Sequence, residues 1–313
     1  MMVDEIPSLQ NEGDLASINE QKSKSLITDI KTLLKLPVLM ANVLPVFTGF
    51  WLALYYTNTS FIANIGLFFL VLLGSTFVMG GALVINNWYD VDIDRIMERT
   101  KKRPTVTGSM SLQLVLTMGI SLTIVGFVLL FFTSIEASIY AFIGWFTYVF
   151  LYTMWAKRRY AFNTVIGSVS GAVTPLIGWA VIDSAFHIVP IILAVIIFIW
   201  QMPHTFAIAM RKYEEYRAAK VAMLPVVRGF RVTKWQSFLY VACLIPLPFF
   251  LTSLGMVFII VATVLNVLWL VMSVYGFFTK DDKLWAKNMF IYSVGYLTLL
   301  FVTMVIGTLP SFS

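Results

Sequence analysis

Asn86-Asn87-Trp88-Tyr89-Asp90-Val91-Asp92-Ile93-Asp94-Arg95 follows directly on an apolar run that begins near Ile65, and Arg99, Lys101, Lys102, Arg103 and Pro104 come straight after it. Ionisable groups at the end of a membrane helix are expensive to place there, so such a stretch is a functional-site candidate by default, with metal and phosphate as the obvious counterions. We read it as a diphosphate site. The preceding run, Ile65 to Asn86, is long enough to cross a bilayer core of about 30 Å.

The rest of the chain agrees with a membrane setting. Of its 313 residues, 59% are hydrophobic and only 12% charged, and the mean hydropathy is +0.85, which excludes a water-soluble domain. The pattern predicts an all-α polytopic membrane protein of nine transmembrane helices around a central cavity open to the cytoplasmic side. The expected spans are Val38 to Tyr56, Ile65 to Asn86, Leu112 to Phe132, Ala137 to Trp155, Asn163 to Ile182, Val189 to Met210, Phe238 to Leu251, Gly255 to Phe277 and Met289 to Leu309. Residues 1–35 form a polar cytoplasmic segment ahead of a transmembrane unit, 36–313.

With those spans, all 22 Lys and Arg fall on one side, in the stretches 22–35, 95–103, 157–159, 211–234 and 280–287. Positive residues mark cytoplasmic loops, so the N-terminus is expected in the cytoplasm and the C-terminus outside. The net charge of +6 is therefore topological, and nucleic acid is not an implied partner. Asp4, Glu5, Glu12, Asp14 and Glu20 come before any Lys, and the first 35 residues lack an apolar core, unlike a secretory signal or an Arg-rich presequence, which points to a bacterial-type plasma membrane. Cys243 stands alone, so an intrachain disulfide is excluded and it reads as packing.

Residues four apart share a slowly drifting helix face, so Asn86, Asp90 and Asp94 project together, with Asn87 close by and Asp92 turned away. Converging carboxylates repel unless a cation sits between them, and hard oxygen ligands suit Mg2+, which bridges one or two carboxylates to phosphate oxygens. The plainer alternative is a solvated helix end whose acids pair with Arg95 and Arg99. A similar arrangement recurs four helices on, where Gln201-Met202-Pro203-His204 leads to Arg211-Lys212-Tyr213-Glu214-Glu215-Tyr216-Arg217 and Lys220-Val221-Ala222-Met223-Leu224-Pro225. Helices two and six exit on the same face, so the two acidic clusters are placed to oppose each other across a cavity and hold two metal ions on one diphosphate. Lys157-Arg158-Arg159 after the fourth span either closes the ring or is a plain positive-inside anchor. An allylic diphosphate suits this layout, its tail in a membrane cavity and its head on metal and Lys/Arg, with no side-chain nucleophile needed.

Asn86-Asn87-x-x-Asp90-x-x-x-Asp94 resembles the first aspartate-rich motif of the UbiA superfamily of intramembrane prenyltransferases, with Asn at its second position. Within it, the longer likeness is to the haem-farnesylating branch. It covers Asn86 through Arg95-x-Met97-x-Arg99-Thr100-x-x-Arg103-Pro104, Pro203-His204, and Glu215-Tyr216-Arg217-Ala218-Ala219 leading to Val221-x-Met223-Leu224-Pro225-Val226-Val227. The resemblance implies that Asn86, Asp90 and Asp94 hold Mg2+ and that Arg95, Arg99 and Arg103 grip a farnesyl diphosphate head, with Lys102 beside them. Asn87 joins through its amide oxygen, and Lys157 and Arg158 cover the head. Glu215 stands where Asp is usual, and with Arg211 and Lys212 it marks a second metal-side cluster. The implied reaction moves farnesyl onto a vinyl group of haem B (protohaem IX) and adds water, giving haem O. The implied partners are farnesyl diphosphate, haem B and the lipid bilayer, and a downstream haem-modifying enzyme is a candidate docking partner.

His204 faces either the cavity, against haem iron or a propionate, or a partner within the bundle. Asn42 either reaches the cavity or ties helices together. Gly167, Gly171 and Gly178 give the fifth span a small-residue face suited to close packing, and Pro175, Pro246 and Pro248 are expected to kink their helices. Two rival readings remain at this point. One is a prenyltransferase acting on a quinone precursor or a chlorophyll-like acceptor. The other is a secondary transporter, which would place its ionisable groups near the bilayer midplane instead of at one face.

Overall fold

The computed structural model describes residues 26–309. The segment 1–35 is therefore seen only from residue 26, and the chain's first 25 and last four positions lie outside the described residues. Among the described residues every regular element is helical. Apart from short turns of helix at Ile62–Asn64, Val91–Asp94, Pro104–Thr107 and Tyr213–Ala218, they are in chain order α1 (Leu36–Tyr56), α2 (Ile65–Tyr89), α3 (Leu112–Phe131), α4 (Ile135–Phe146, prolonged by a π-helix over Thr147–Ala156), α5 (Asn163–Ala172), α6 (Thr174–Trp179), α7 (Ile188–Arg211), α8 (Leu224–Leu244, prolonged by a 3-10 stretch over Leu247–Leu254), α9 (Met256–Tyr275) and α10 (Asp282–Gly307). Eight of these segments are long and apolar enough to cross a membrane, and the protein is a multi-pass membrane protein.

Two expected spans depart from an unbroken helix: Phe238 to Leu251 is interrupted before Leu247 at Pro246, as expected of its prolines, and Asn163 to Ile182 is broken more deeply. It is split into α5 and α6, each too short to cross alone. Pro175 sits in the first turn of α6, where its missing N–H is harmless, but that same lack removes the bond that would have joined the halves. The Gly171 carbonyl thus freed accepts the Thr174 hydroxyl at 2.7 Å. A buried backbone acceptor is satisfied without water, as hydrocarbon requires.

Helices in lipid gain little from the hydrophobic effect and associate through close packing of small residues. At the contact of α1 with α6, a Cβ on Gly178 would stand 1.9 Å from the Val46 carbonyl oxygen, and one on Gly49 would stand 2.1 Å from the Pro175 oxygen. Only glycine permits that approach. The expected small face on the fifth span is thus used on three sides, with Gly167 against the Tyr152 ring, Gly171 against Gln201 and Gly178 against α1. The outer surface carries Ile124, Val128 and Phe131 of α3 and Ile260, Val264 and Val267 of α9, all exposed, as a lipid-facing shell requires. Cys243 is exposed rather than packed inside.

Ahead of α1 lies a helical turn over residues 26–33. Its Leu33 is fully buried against Val84, Met110 and Val115, which docks this stretch onto α2 and α3. Lys35 follows in a left-handed conformation, φ 47° and ψ 53°, a backbone state that costs an L residue about 1–3 kcal/mol and persists only where its surroundings enforce it.

Gly178→Ala is expected to push α1 and α6 apart at a cost of about 1–3 kcal/mol, the usual range for overpacking. The reading is a lower melting temperature in detergent. Gly66→Ala serves as the control, because no heavy atom lies within 4 Å of a Cβ there; equal melting of the two variants would refute the contact.

Candidate active site

α2 ends at Tyr89, but its hydrogen-bond ladder runs on. The Asp90 N–H donates to the Asn86 carbonyl at 3.0 Å and the Asp94 N–H to the Asp90 carbonyl at 2.9 Å. Asn86, Asp90 and Asp94 therefore stay on one face through a short helical turn, Val91–Asp94, as the four-residue spacing requires. All three are buried, Asp90 completely.

Each has a basic neighbour. Lys35 Nζ donates to Asn86 Oδ1 at 2.6 Å, while Asn86 Nδ2 donates to Asp90 Oδ2 at 2.7 Å and to the Thr153 hydroxyl at 3.1 Å. Lys157 Nζ pairs with Asp90 Oδ2, and Arg103 Nη1 with Asp94 Oδ2. Arg158 serves mainly Asp92, through two bonds of 2.6 and 2.7 Å, and stands 3.6 Å from Asp90 Oδ1. That separation is beyond hydrogen-bond reach, and Asp90 Oδ1 has no hydrogen-bond partner among the described residues. Asp92, turned away as expected, is exposed.

These groups frame a polar pocket of about 480 Å³ lined by Lys35, Asn86, Asp94, Arg99, Arg103 and Lys157, with Tyr148, Tyr152 and Tyr216 among its walls. Below it, sharing Tyr148, lies an apolar cavity of about 630 Å³ bounded by faces of α1, α2, α4, α5 and α6. The two expected helix tips do meet. Ile93 and Met97 beyond α2 pack with Ala209 in the last turns of α7 and with Ala219, Val221 and Met223 beyond it, and the Arg99 N–H donates to Glu215 Oε2 at 3.4 Å.

Burial and the charges of Arg103 and Lys157 push the Lys35 pKa well below the usual lysine range, against the smaller pull of Asp90 and Asp94. Burial is the largest single influence on Lys157 and works against its charge, but Asp90 together with Tyr152 and Tyr216 outweighs it and the net shift is upward. The two bonds from Arg158 hold Asp92 low despite some burial. For Glu215, burial is overcome by Lys212 and the Arg99 N–H, and the net shift is downward.

Several expected site residues fall elsewhere. Asn87 is fully buried, with Nδ2 donating to the Leu33 carbonyl at 2.6 Å; it anchors the turn before α1. Glu215 accepts Lys212 Nζ at 2.7 Å and the Arg99 N–H, so it ties two loops together outside the pocket wall. Among the described residues no three His, Cys, Asp or Glu side chains form a metal-holding group, which leaves the expected second cation without an acidic cage. His204 bonds Ser293 Oγ at 2.7 Å and stacks on Trp200 at 4.5 Å, the within-bundle alternative. Arg211 lies over the Phe290 ring. Arg95 and Lys102 are exposed at the rim. Asn42 lines the apolar cavity, its Nδ2 donating to the Val38 carbonyl at 2.8 Å.

Sequence reading missed Lys35, Thr153 and the three tyrosines. Lys35 resembled one more positive-inside charge, and the tyrosines are lost among 13.

The profile of the UbiA prenyltransferase family matches residues 42–294. The chain belongs to that family. Curated relatives named protoheme IX farnesyltransferase include one from Oceanobacillus iheyensis, 52% identical over 302 residues and 96% of each chain, and a second such enzyme from Bacillus subtilis, 50% identical over 281 residues, 90% of this chain and 92% of the relative. Among solved structures, a digeranylgeranylglyceryl phosphate synthase superposes with a TM-score of 0.72 at 19% identity, covering 90% of this chain and 98% of that one. A UbiA homologue from Archaeoglobus fulgidus bound to GPP and Mg2+ gives 0.63 at 17% identity, covering 88% and 99%. These two likenesses establish the fold.

The donors present in this UbiA-family protein fit a hard cation. Asn86 and Asp94 line the polar pocket, Asp90 lies buried directly behind them on Asn86 Nδ2, and Asp90 Oδ1 is a buried acceptor still to be satisfied, a position costly to leave empty. Two carboxylates are too few for an all-protein cage but suit Mg2+ that also binds phosphate oxygens.

Lys157→Met strands the Asp90 carboxylate, 0% exposed, and is expected to destabilise the protein by about 3–5 kcal/mol. Adding Asp90→Asn is expected to restore most of that stability, because the second change removes the stranded charge. Additive losses in the double variant, read by thermal melting, would show that the pair is not coupled.

Proposed function

We propose that this chain transfers the farnesyl group of farnesyl diphosphate to a vinyl group of haem B, with addition of water, giving haem O and pyrophosphate. The observation that carries the reaction class is the joining of a polar, base-rich pocket to an apolar cavity through Tyr148. The acceptor follows from relatives at about half identity over nearly the whole chain that bear the farnesyltransferase name.

The roles follow from the geometry. Arg99, Arg103, Lys157 and Lys35 bind the diphosphate, and these four bases, set against Asp94 in the lining and Asp90 buried behind it, suit a polyanion. Asn86, Asp90 and Asp94 would hold Mg2+, which when bound would neutralise charge building on the leaving pyrophosphate. Arg103 and Lys157 are then released from Asp94 and Asp90 to the phosphate oxygens, where guanidinium and ammonium stabilise the same developing charge. The allylic C–O bond breaks and its electron pair leaves with pyrophosphate. The vinyl π electrons close the new C–C bond, the resulting cation is delocalised into the porphyrin, and water adds to it and releases a proton. The apolar cavity excludes bulk water from the allylic cation until the acceptor has captured it.

In this proposal residues 36–313 form the catalytic unit and 1–35 a preceding polar segment. The pocket opens to the cytoplasm of a bacterial-type plasma membrane, with the N-terminus inside and the C-terminus outside, because every Lys and Arg then lies on the inner face. Haem O partitions into lipid, and docking of a downstream haem-modifying enzyme at the bilayer completes the proposed route.

Purified protein with Mg2+ and farnesyl diphosphate, given haem B or 4-hydroxybenzoate, is expected to yield only the haem O mass. A prenylated benzoate in its place would reassign the acceptor. Asp90→Ala and Asp94→Ala are expected to lower turnover by at least about 10²-fold, the scale for loss of a charge-stabilising group, and near-normal rates in both would overturn the cation site. Arg103→Ala is expected to raise the KM for farnesyl diphosphate more than it lowers kcat.

A further inference from the structure

The apolar cavity has a definite depth. On α2 its wall is one helical face, Leu83, Ala82, Met79, Val78 and Ser75, descending from Asn86 in the polar pocket. Ser75 is the deepest of these, eleven residues below Asn86, or about 16 Å at the rise of an α-helix. Ala141 on α4 and Ile177 on α6 are the deepest lining residues of their own helices. Beside these deepest residues α1 and α6 close on each other, with the Val46 and Pro175 carbonyls against Gly178 and Gly49. That contact is backbone on backbone and cannot yield to a longer ligand by a side-chain rotation.

We propose that this floor, formed by Ser75, Ala141 and Ile177, measures the prenyl chain and selects three isoprene units. This rests on the function proposed above and specifies its donor. An extended carbon chain advances about 1.2 Å per bond, so the twelve-carbon backbone of a farnesyl group spans about 13 Å, and the C–O–P link to the head accounts for the remaining about 3 Å. A geranylgeranyl chain, sixteen carbons long, needs about 18 Å before that link and overruns the floor. A geranyl chain of eight carbons, about 8 Å, leaves the lower part of the cavity unfilled and forfeits that contact.

The test compares geranyl, farnesyl and geranylgeranyl diphosphates as donors to haem B with Mg2+, and measures binding of their unreactive thiolodiphosphate analogues by calorimetry. The natural protein is expected to favour the farnesyl compound in both readings. Ser75→Leu raises the floor and is expected to shift the farnesyl-to-geranyl ratio of kcat/KM by about tenfold or more towards geranyl; Ile177→Ala lowers it and is expected to shift the geranylgeranyl-to-farnesyl ratio by a similar factor towards the longer donor. Should Ser75→Leu fail to fold, judged by gel filtration and melting, Ile177→Ala decides alone. Unchanged length ratios in a folded variant that still binds inorganic pyrophosphate as the natural protein does would overturn the ruler while leaving the transferase reading in place. Failure of the natural protein to bind or use any of the three donors would remove the transferase reading, and the ruler with it.

Discussion

Two carboxylates, Asp90 and Asp94, lie buried where the helix bundle meets its polar end, and a buried charge is tolerated only if a partner stands against it. Lys157 comes to Asp90 from the end of α4, Arg103 to Asp94 from the loop after α2, and Lys35 to Asn86 from the turn before α1. Three separate chain segments are thereby pinned to one point. Removing a partner from such a pair costs far more than the pair itself contributes, so the arrangement works chiefly as a constraint on geometry.

The same pairs suit a site that must accept a polyanion together with a cation. Acids without bases would repel the diphosphate before the metal arrived, and bases without acids would leave a dense positive patch at the membrane. With both present, binding becomes an exchange of counterions in which acids pass to the cation and bases to the phosphates. Little side-chain reorganisation is needed, because Arg103, Lys157 and Lys35 already line the pocket. The hydrocarbon tail is taken by a different set of contacts on the same helices, and the boundary between them falls at Tyr148.

Much of this was legible in the sequence, because it depends on spacing along one helix or on charge counted by loop. Asn86, Asp90 and Asp94 share a face at any ordinary helical pitch, and the one-sided Lys and Arg placed both acidic tips at the same end. What was not legible depends on backbone states that a residue pattern does not announce. Lys35 reaches Asn86 from a left-handed turn whose position is set by the seating of Leu33 and by the Asn87 amide. Asn87 was expected at the cation and serves that seating instead. Glu215 was expected to hold metal, yet its carboxylate is drawn to Lys212 and to the Arg99 N–H, nearer partners than any in the pocket. The break between α5 and α6 followed from Pro175, but the repair of the Gly171 carbonyl by Thr174 depends on a side-chain rotamer that residue spacing does not fix.

The π-helix over Thr147–Ala156 shows how far a local backbone choice can carry a site. Tyr148 and Lys157 are nine residues apart and both line the polar pocket. At about 3.6 residues per turn, nine residues make two and a half turns, which would put them on opposite faces. With i→i+5 bonding the turn widens to about 4.4 residues, and nine residues return to the starting face after two turns. The Lys157 N–H accordingly donates five residues back, to the Tyr152 carbonyl at 2.9 Å. The wider pitch allows one segment to supply a boundary tyrosine to the tail cavity, a hydroxyl from Thr153 to Asn86, and an ammonium to Asp90. An α-helical reading of the same stretch would have sent Lys157 away from the acids it neutralises, leaving Asp90 buried without its counterion.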